Sequence, residues 1–178
     1  MNLLIVRCPL KPFAGSLNSS PSKWRDSEHN ERFEWALVED VDFERGAGSE
    51  LAIKTGIGNI ESMPYASEAL VLISTLDVRL IEAKVPLTNA KKLQQILPNL
   101  IEEHLLGGTE SISIQAFPPV AGKSALQRTV ALIDRPWFGW LSKQLEGLLC
   151  HKVRLIPDCF MLSLDASSSI PPLLAFIR

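Results

Sequence analysis

The order of apolar patterns along the chain most constrains what its 178 residues can fold into. Short apolar or alternating runs predict five strands in the first half, at Asn2–Cys8, Phe33–Asp40, Ser49–Lys54, Ala69–Thr75 and Arg79–Pro86. A helix, two strands, a second helix and further strand patterns follow. This order predicts a mixed α/β fold, a mixed sheet with flanking helices, rather than a regularly alternating doubly wound sheet.

The second half of the chain carries clear start signals for its helices. Thr88 or Asn89 is suited to cap a helix over about residues 89–106, and Gly107-Gly108 to end it. Asp134, followed by Pro136, predicts the start of a second helix that continues to Leu149. The remaining patterns predict a turn region at Thr55–Tyr65, strands at Glu110–Phe117, Gln127–Asp134 and His151–Asp158, and one more strand near Leu173–Ile177.

Pro98 lies in the middle of the first predicted helix, where it costs roughly 3 kcal/mol. An apolar stripe that includes Leu93, Leu97 and Ile101 continues on both sides of it. One hypothesis is that Pro98 bends the helix, so that its apolar face curves around a sheet. The alternative is two short helices that meet at Asn99.

The composition excludes several classes of protein. Eighteen Lys and Arg against twenty Asp and Glu give a net charge of −2, which argues against an electrostatically driven nucleic-acid binder. The three cysteines form no C-x-x-C pair, and they are expected to be reduced core residues. The N-terminal run lacks signal-peptide features, and no run approaches the roughly 18 apolar residues of a membrane span. The chain as given is therefore expected to be soluble.

No motif predicts an active site, a cofactor or a metal. Gly56-Ile-Gly58 and Gly122-Lys123-Ser124 each lack most of a phosphate-binding loop. Cys150-His151 and Cys159 do not match a zinc spacing. The three histidines, His29, His104 and His151, stand in unrelated predicted elements, and no G-x-S-x-G is present. The acidic pair Glu102-Glu103 is predicted to be a solvated helix end, and the aromatic cluster Trp137, Phe138 and Trp140 either core or a partner-binding patch.

Acidic residues concentrate between residues 25 and 50, where nine acids stand against three bases. One interpretation is a solvated acidic edge. The sharper interpretation is a docking face for a basic partner. The residues proposed for such a face are Glu39, Asp40, Asp42 and Glu44.

The run from Val85 to Phe117 resembles the signature region of type II secretion system protein L. In that family a strand ends in a proline, and a helix follows with basic residues in its first half, a Leu-Pro and an acidic pair before the next strand. The corresponding residues here are Pro86, Lys91, Lys92, Leu97-Pro98, Glu102-Glu103 and Glu110–Phe117. The later runs 129–147 and 153–162 also match the family pattern, so the resemblance covers about residues 69–162.

The resemblance implies an actin-like, RNase H-like region over residues 1–178 that is not an enzyme. It implies two sub-lobes, about 1–107 and 108–178, with the second expected to be incomplete. The implied role is to bind the amino-terminal domain of the secretion ATPase on the cytoplasmic side of the bacterial inner membrane. Other inner-membrane platform proteins are further implied partners, a homodimer is left open, and the family's membrane helix is expected outside this stretch.

Nucleotide-binding actin-like proteins carry an Asp-x-Gly turn after the first strand, and this chain departs from that pattern. Its first strand continues into Arg7-Cys-Pro-Leu-Lys11, with neither Asp nor Gly. The strand before Asp158 also lacks a following glycine. The departure favours a docking scaffold over ATP hydrolysis. The alternative function is a pilus-assembly actin-like protein that binds nucleotide and a peptide partner.

Overall fold

A computed structural model describes residues 2–11, 32–39, 52–86, 89–105, 108–118, 126–161 and 175–176. These ranges contain nine strands and two α-helices. The strands are β1 Leu3–Arg7, β2 Phe33–Glu39, β3 Ala52–Gly58, β4 Ala66–Ile73, β5 Val78–Lys84, β6 Ile112–Ala116, β7 Gln127–Asp134, β8 Cys150–Pro157 and β9 Ala175–Phe176. The helices are α1 Ala90–Ile101 and α2 Arg135–Leu145.

The large sheet has the strand order β3-β2-β1-β4-β8-β9. β2 is antiparallel to both β1 and β3, whereas β1, β4 and β8 run parallel to one another. β9 adds two residues antiparallel to β8. Parallel strands require long crossover connections, and the segment between β4 and β8 supplies one. The predicted mixed sheet with flanking helices is confirmed.

The crossover contains a second sheet, with the order β5-β7-β6 and antiparallel pairing throughout. One of its faces packs on α1, and Val85, Leu97, Ile101 and Val130 are almost fully buried there. Both sheets combine strands from before and after residue 107, since β4 pairs with β8 and β5 with β7. The sub-lobes 1–107 and 108–178 stay a prediction.

The main core lies between the large sheet, the other face of the second sheet and α2. Leu4, Val6 and Val71 from the sheet and Leu141 from α2 are buried in it. Trp137 is fully buried and stacks on Trp140, with ring centroids 4.7 Å apart. Core packing therefore accounts for the aromatic cluster.

Helix α1 begins as predicted, because the Asn89 side chain accepts a hydrogen bond from Lys92 N at 2.8 Å. It is continuous across Pro98, which excludes two helices that meet at Asn99. The predicted end was wrong, since the α-helix stops at Ile101 and a 3₁₀ turn follows at Glu102–His104. The helix thus ends less than one turn after Pro98, which has no backbone N–H to donate. The bend at Pro98 stays a prediction.

The prediction of a turn that starts at Thr55 was also wrong, because β3 continues to Gly58. Gly56 pairs with Trp35 across the strands. A Cβ atom on Gly56 would lie 2.4 Å from Cζ2 of Trp35, so the indole occupies the space over this residue. The Gly-x-Gly pattern therefore serves strand packing, since glycine in a strand marks close approach as well as turns.

Candidate functional site at the carboxyl ends of the parallel strands

The parallel strands β1, β4 and β8 end on the same side of the large sheet. We call this side, where their carboxyl ends lie, the carboxyl edge. In open α/β sheets, ligands bind in the crevice outside such carboxyl ends. Three short segments meet here: residues 8–11 after β1, the turn 74–77 after β4, and the 3₁₀ turn Asp158–Met161 after β8. This edge is consequently where a ligand of the fold would be expected.

Thr75 and Asp158 close one side of this edge. Asp158 Oδ1 accepts a hydrogen bond from the Thr75 backbone N–H at 2.9 Å and another from the Thr75 hydroxyl. The Thr75 hydroxyl oxygen in turn accepts from Cys159 N at 3.2 Å. These bonds join the turn after β4 to the turn after β8, and we call them the Thr75–Asp158 clasp. The backbone N–H of Thr75, a group of the kind that binds anions at such sites, already donates to Asp158.

Lys11 and Asp77 close the other side. Asp77 Oδ2 accepts from Lys11 N at 2.8 Å, and Lys11 Nζ lies 3.0 Å from Asp134 Oδ2. The other oxygen of Asp134 caps α2 by accepting from Trp137 N at 2.8 Å. The exit of β1, the turn after β4 and the start of α2 are thereby linked through two carboxylates and one lysine.

The two site carboxyls have pKa values shifted in opposite directions. Burial raises the pKa of Asp77, and the negative charge of Asp158 adds to the rise, while the backbone N–H and the charge of Lys11 oppose it. The Thr75 hydroxyl bond lowers the pKa of Asp158. Burial, with the charge of Asp77, also raises the pKa of the Cys8 thiol. Cys8 is therefore protonated at neutral pH and offers no thiolate nucleophile.

A cleft of about 380 Å³ lies beside this edge, between the two sheets. Ile73 and Pro157 line it from the ends of β4 and β8, Ile133 and Phe117 from the second sheet and the loop after it, and Phe138 from α2. Among the described residues that line it, none is a lysine or an arginine. The described walls are mostly apolar and suit an apolar group.

Of the four residues predicted for a docking face, the structure describes Glu39. It ends β2, and its Oε1 lies 2.8 Å from Nζ of Lys54 on β3. Asp40, Asp42 and Glu44 lie outside the described residues. Because β2 runs antiparallel to β1, Glu39 lies beside the start of β1, whereas the clasp lies at the carboxyl ends of β4 and β8. The structure therefore does not bring Glu39 and the clasp together.

The other candidates from the sequence do not form a site. Cys150 begins β8 and Cys159 follows its end, so an eight-residue strand separates them, roughly 25 Å at 3.3 Å per residue. His151 is hydrogen-bonded to the Tyr65 hydroxyl at 2.8 Å. Gly122-Lys123-Ser124 and His29 lie outside the described residues. In the described ranges no three His, Cys, Asp or Glu side chains cluster closely enough to hold a metal ion.

Sequence reasoning missed Lys11, Thr75 and Asp77. The available signal was the Ser74-Thr-Leu-Asp77 run directly after a buried strand, since such residues favour turns at strand ends. Asp158 stood out only as the acid after the proline that ends β8.

No helix within the described part of the chain is long and apolar enough to cross a bilayer.

Comparison with known proteins assigns the fold. No protein-family profile and no curated protein matches the sequence. Among solved structures, the chain is similar to the cytoplasmic domain of EpsL, an inner-membrane component of the type II secretion system of Vibrio cholerae. The TM-score is 0.56 at 19% sequence identity, over 93% of this chain and 61% of the EpsL chain. The protein has the EpsL-like, actin-like fold.

The resemblance to type II secretion protein L is thus confirmed at the level of the fold. The chain spans 61% of the length of the EpsL chain. A weaker similarity is to a PilM–PilN type IV pilus biogenesis complex, with a TM-score of 0.46, 16% identity, and coverage of 71% of this chain and 45% of that one.

Proposed function

We propose that this protein is a non-enzymatic assembly component of the type II secretion system. In this role it binds the amino-terminal domain of the cytoplasmic secretion ATPase and tethers that ATPase to the inner-membrane platform. The fold shared with the EpsL cytoplasmic domain supports the assembly role. The proposal places the protein at the cytoplasmic side of the inner membrane.

Hydrogen bonds and an ion pair within the chain at the carboxyl edge support the proposal that the protein is not an enzyme. The N–H and hydroxyl of Thr75 bind Asp158, the N–H of Lys11 binds Asp77, and the Lys11 ammonium binds Asp134. A nucleotide phosphate would need donors of these kinds, and here they are occupied by the chain's own carboxylates. The edge is accordingly better suited to fixing the fold than to phosphoryl transfer.

The acidic run remains the proposed docking face. Charge complementarity with a basic partner surface accelerates association and fixes the orientation of docking. Glu39 is already paired with Lys54 at 2.8 Å. We therefore assign the main contribution to Asp40, Asp42 and Glu44, which follow Glu39 in the sequence.

The experiment is a calorimetric titration of the chain with the amino-terminal domain of the secretion ATPase from the same organism. We expect saturable binding, and at least a tenfold loss of affinity in the triple variant Asp40→Lys, Asp42→Lys, Glu44→Lys. A matched control reverses three exposed acids on the second half of the chain, Glu102, Glu103 and Glu110. This control should leave the affinity within about twofold.

Three results would count against the proposal. Absence of binding by the folded chain contradicts the tethering role. Equal losses in the two triple variants contradict the assigned face, because they indicate a general charge effect. Saturable binding of Mg-ATP in the same calorimeter contradicts the closed carboxyl edge and favours a nucleotide-binding actin-like protein.

A further inference from the structure

β3 forms one edge of the large sheet and carries two exposed isoleucines. It pairs with β2 on one side, and no described strand pairs with it on the other. The exposed fractions are 59% for Ile53 and 68% for Ile57. Proteins usually protect edge strands with charges, prolines, bulges or short length. This strand has seven residues and one charged side chain, Lys54, which is paired with Glu39.

The exposed isoleucines share one face of the strand. The β2–β3 register places Ile53, Thr55 and Ile57 opposite Val38, Ala36 and Glu34, on the face away from the main core. The other face of β3 carries Lys54 and Gly56, with the Trp35 indole over the glycine. The face away from the core thus presents the alternating pattern Ile-Thr-Ile along an edge with which no described strand pairs.

This pattern reads the same in both directions about Thr55. In an antiparallel strand pair with a two-fold axis, a residue that precedes the axis by some number of positions lies opposite the residue that follows it by the same number in the other copy. The contacting surface must therefore be complementary to itself. With the axis at Thr55, Ile53 of each copy lies opposite Ile57 of the other, and the two threonines face each other. β-branched pairs and Thr–Thr pairs are favourable across strands. We propose that two copies of this chain associate through antiparallel pairing of their β3 edges, centred on Thr55.

Charge selects this register over its neighbours. An axis at Thr55 places Lys54 opposite Gly56 of the other copy. An axis one residue earlier would place the two Lys54 side chains directly opposite each other, and like charges in that position are destabilising. An axis at Gly56 would leave two glycines at the centre, without side chains to pack. The Thr55 register alone among these three joins both isoleucine pairs without a like-charge contact.

The area of the contact sets its expected strength. Stable specific interfaces bury about 1,200–2,000 Å² in total, and one pair of seven-residue strands buries less. The dimer should therefore be reversible, with a dissociation constant on the order of 10–100 μM. This inference goes beyond the ATPase-tethering role, and its test requires no ATPase.

Register-specific cross-linking tests the pairing. In a background with Cys150→Ser and Cys159→Ser, Thr55→Cys places two thiols directly opposite each other, at Cα separations of about 4.5–5.5 Å that a disulfide can span. Ile57→Cys is the matched variant, because its two copies would lie about 14 Å apart along the strand. We expect glutathione disulfide to link the Thr55→Cys chains at least ten times faster than the Ile57→Cys chains. Equal rates, or no linked product, would overturn the proposed register.

Sedimentation equilibrium up to about 200 μM tests the surface without cysteines. Ile57→Lys should raise the dissociation constant at least tenfold, because two lysines enter the contact. Leu149→Lys is the control, since Leu149 has a similar exposed fraction of 65% and lies outside β3. A chain that remains monomeric at 200 μM, or a dimer equally weakened by both variants, contradicts the proposal. Thermal unfolding of each variant checks that the fold is retained.

Discussion

Thr75 and Asp158 are 83 residues apart in sequence, yet Asp158 accepts hydrogen bonds from both the N–H and the hydroxyl of Thr75 at the carboxyl edge of the large sheet. Thr75 belongs to the turn after β4 and Asp158 to the turn after β8. The clasp thus joins the two strands between which the whole second sheet is inserted. A position where related architectures bind ligands is here used to close the insertion.

Removing the clasp should lower the stability of the protein. Asp158→Ala leaves the Thr75 N–H without its carboxylate acceptor, and we expect the free energy of unfolding to fall by about 1–2 kcal/mol. Asp158→Asn retains an acceptor oxygen and should lose less. Urea denaturation at pH 7 gives both values. If alanine costs no more than asparagine, the clasp does not stabilise the fold.

The clasp should also weaken in acid. The pKa of Asp158 is lowered in the folded state, chiefly by the Thr75 hydroxyl bond. Its contribution to stability is therefore complete above the unfolded pKa near 3.8 and is lost as the pH falls through the folded value. The stability difference between the wild type and Asp158→Asn should shrink below pH 4. A difference that stays constant down to pH 2.5 would contradict this assignment.

Asp77 should behave in the opposite sense. Its pKa is raised, chiefly by burial, so the folded state binds a proton at this carboxyl more readily than the unfolded state does. Its charged form thus reduces stability at neutral pH, and this penalty disappears as the pH falls. Asp77→Asn keeps an acceptor for Lys11 N and should be at least as stable as the wild type at pH 7. Its advantage should be smaller at pH 4, and a clear loss of stability at pH 7 would show that the charge is needed.

Gly56 and Gly139 should respond differently to alanine. A Cβ on Gly56 would lie 2.4 Å from Cζ2 of Trp35, so the indole must move, at about 1–3 kcal/mol. Gly139 lies exposed in α2, and its Cβ would meet nothing within 4 Å. Gly139→Ala should therefore increase stability by roughly 0.5–1 kcal/mol, as alanine does in helices. Thermal and urea unfolding of the two variants measure the contrast, and Trp fluorescence should shift only for Gly56→Ala.

Local signals in the sequence were sufficient to predict where α2 starts. Asp134 and Pro136 combine an N-cap with the residue type favoured in the first turn, and Asp134 does accept from Trp137 N. The predicted end of α2 at Leu149 was wrong, since the helix stops at Leu145. The end of α1 and the end of β3 were missed for different reasons. Gly107-Gly108 resembled a helix stop, yet the helix ended earlier, soon after Pro98. Gly56 resembled a turn residue because its reason for being glycine lies on another strand, in Trp35.

The candidate site was less predictable than the fold. Strand patterns depend on residues two positions apart, so each strand was recognisable before its neighbours were known. The clasp depends on β4 and β8 being adjacent, and nothing near Thr75 in sequence identifies Asp158 as its partner. Likewise the bond between Lys11 and Asp77 requires β1 and β4 to be paired. Such contacts follow from the topology, which the apolar pattern restricted only to a mixed sheet.

The bend proposed at Pro98 limits what its replacement can gain. Alanine restores a backbone donor and would by itself return roughly 3 kcal/mol. A straighter α1 would fit Leu97 and Ile101 less well against the second sheet, at about 1–3 kcal/mol, so Pro98→Ala should recover clearly less than that gain in urea, and its helix axis should change. Lys91→Ala, an exposed change in the same helix, is the control and should have little effect. Unchanged or higher stability of Pro98→Ala, with an unchanged helix axis, contradicts a required bend.

Asp134 should contribute to stability in two separable ways. Its Oδ1 caps α2 through Trp137 N, and its Oδ2 lies 3.0 Å from Lys11 Nζ. Loss of an N-cap costs about 0.5–2 kcal/mol, whereas a partly exposed ion pair contributes up to about 1 kcal/mol. Asp134→Ala should therefore cost more than Asp134→Asn, which retains a capping oxygen without the charge. A double-mutant cycle with Lys11→Met isolates the ion pair, and a coupling energy larger than the stability difference between Asp134→Ala and Asp134→Asn would show that the ion pair contributes more than the cap.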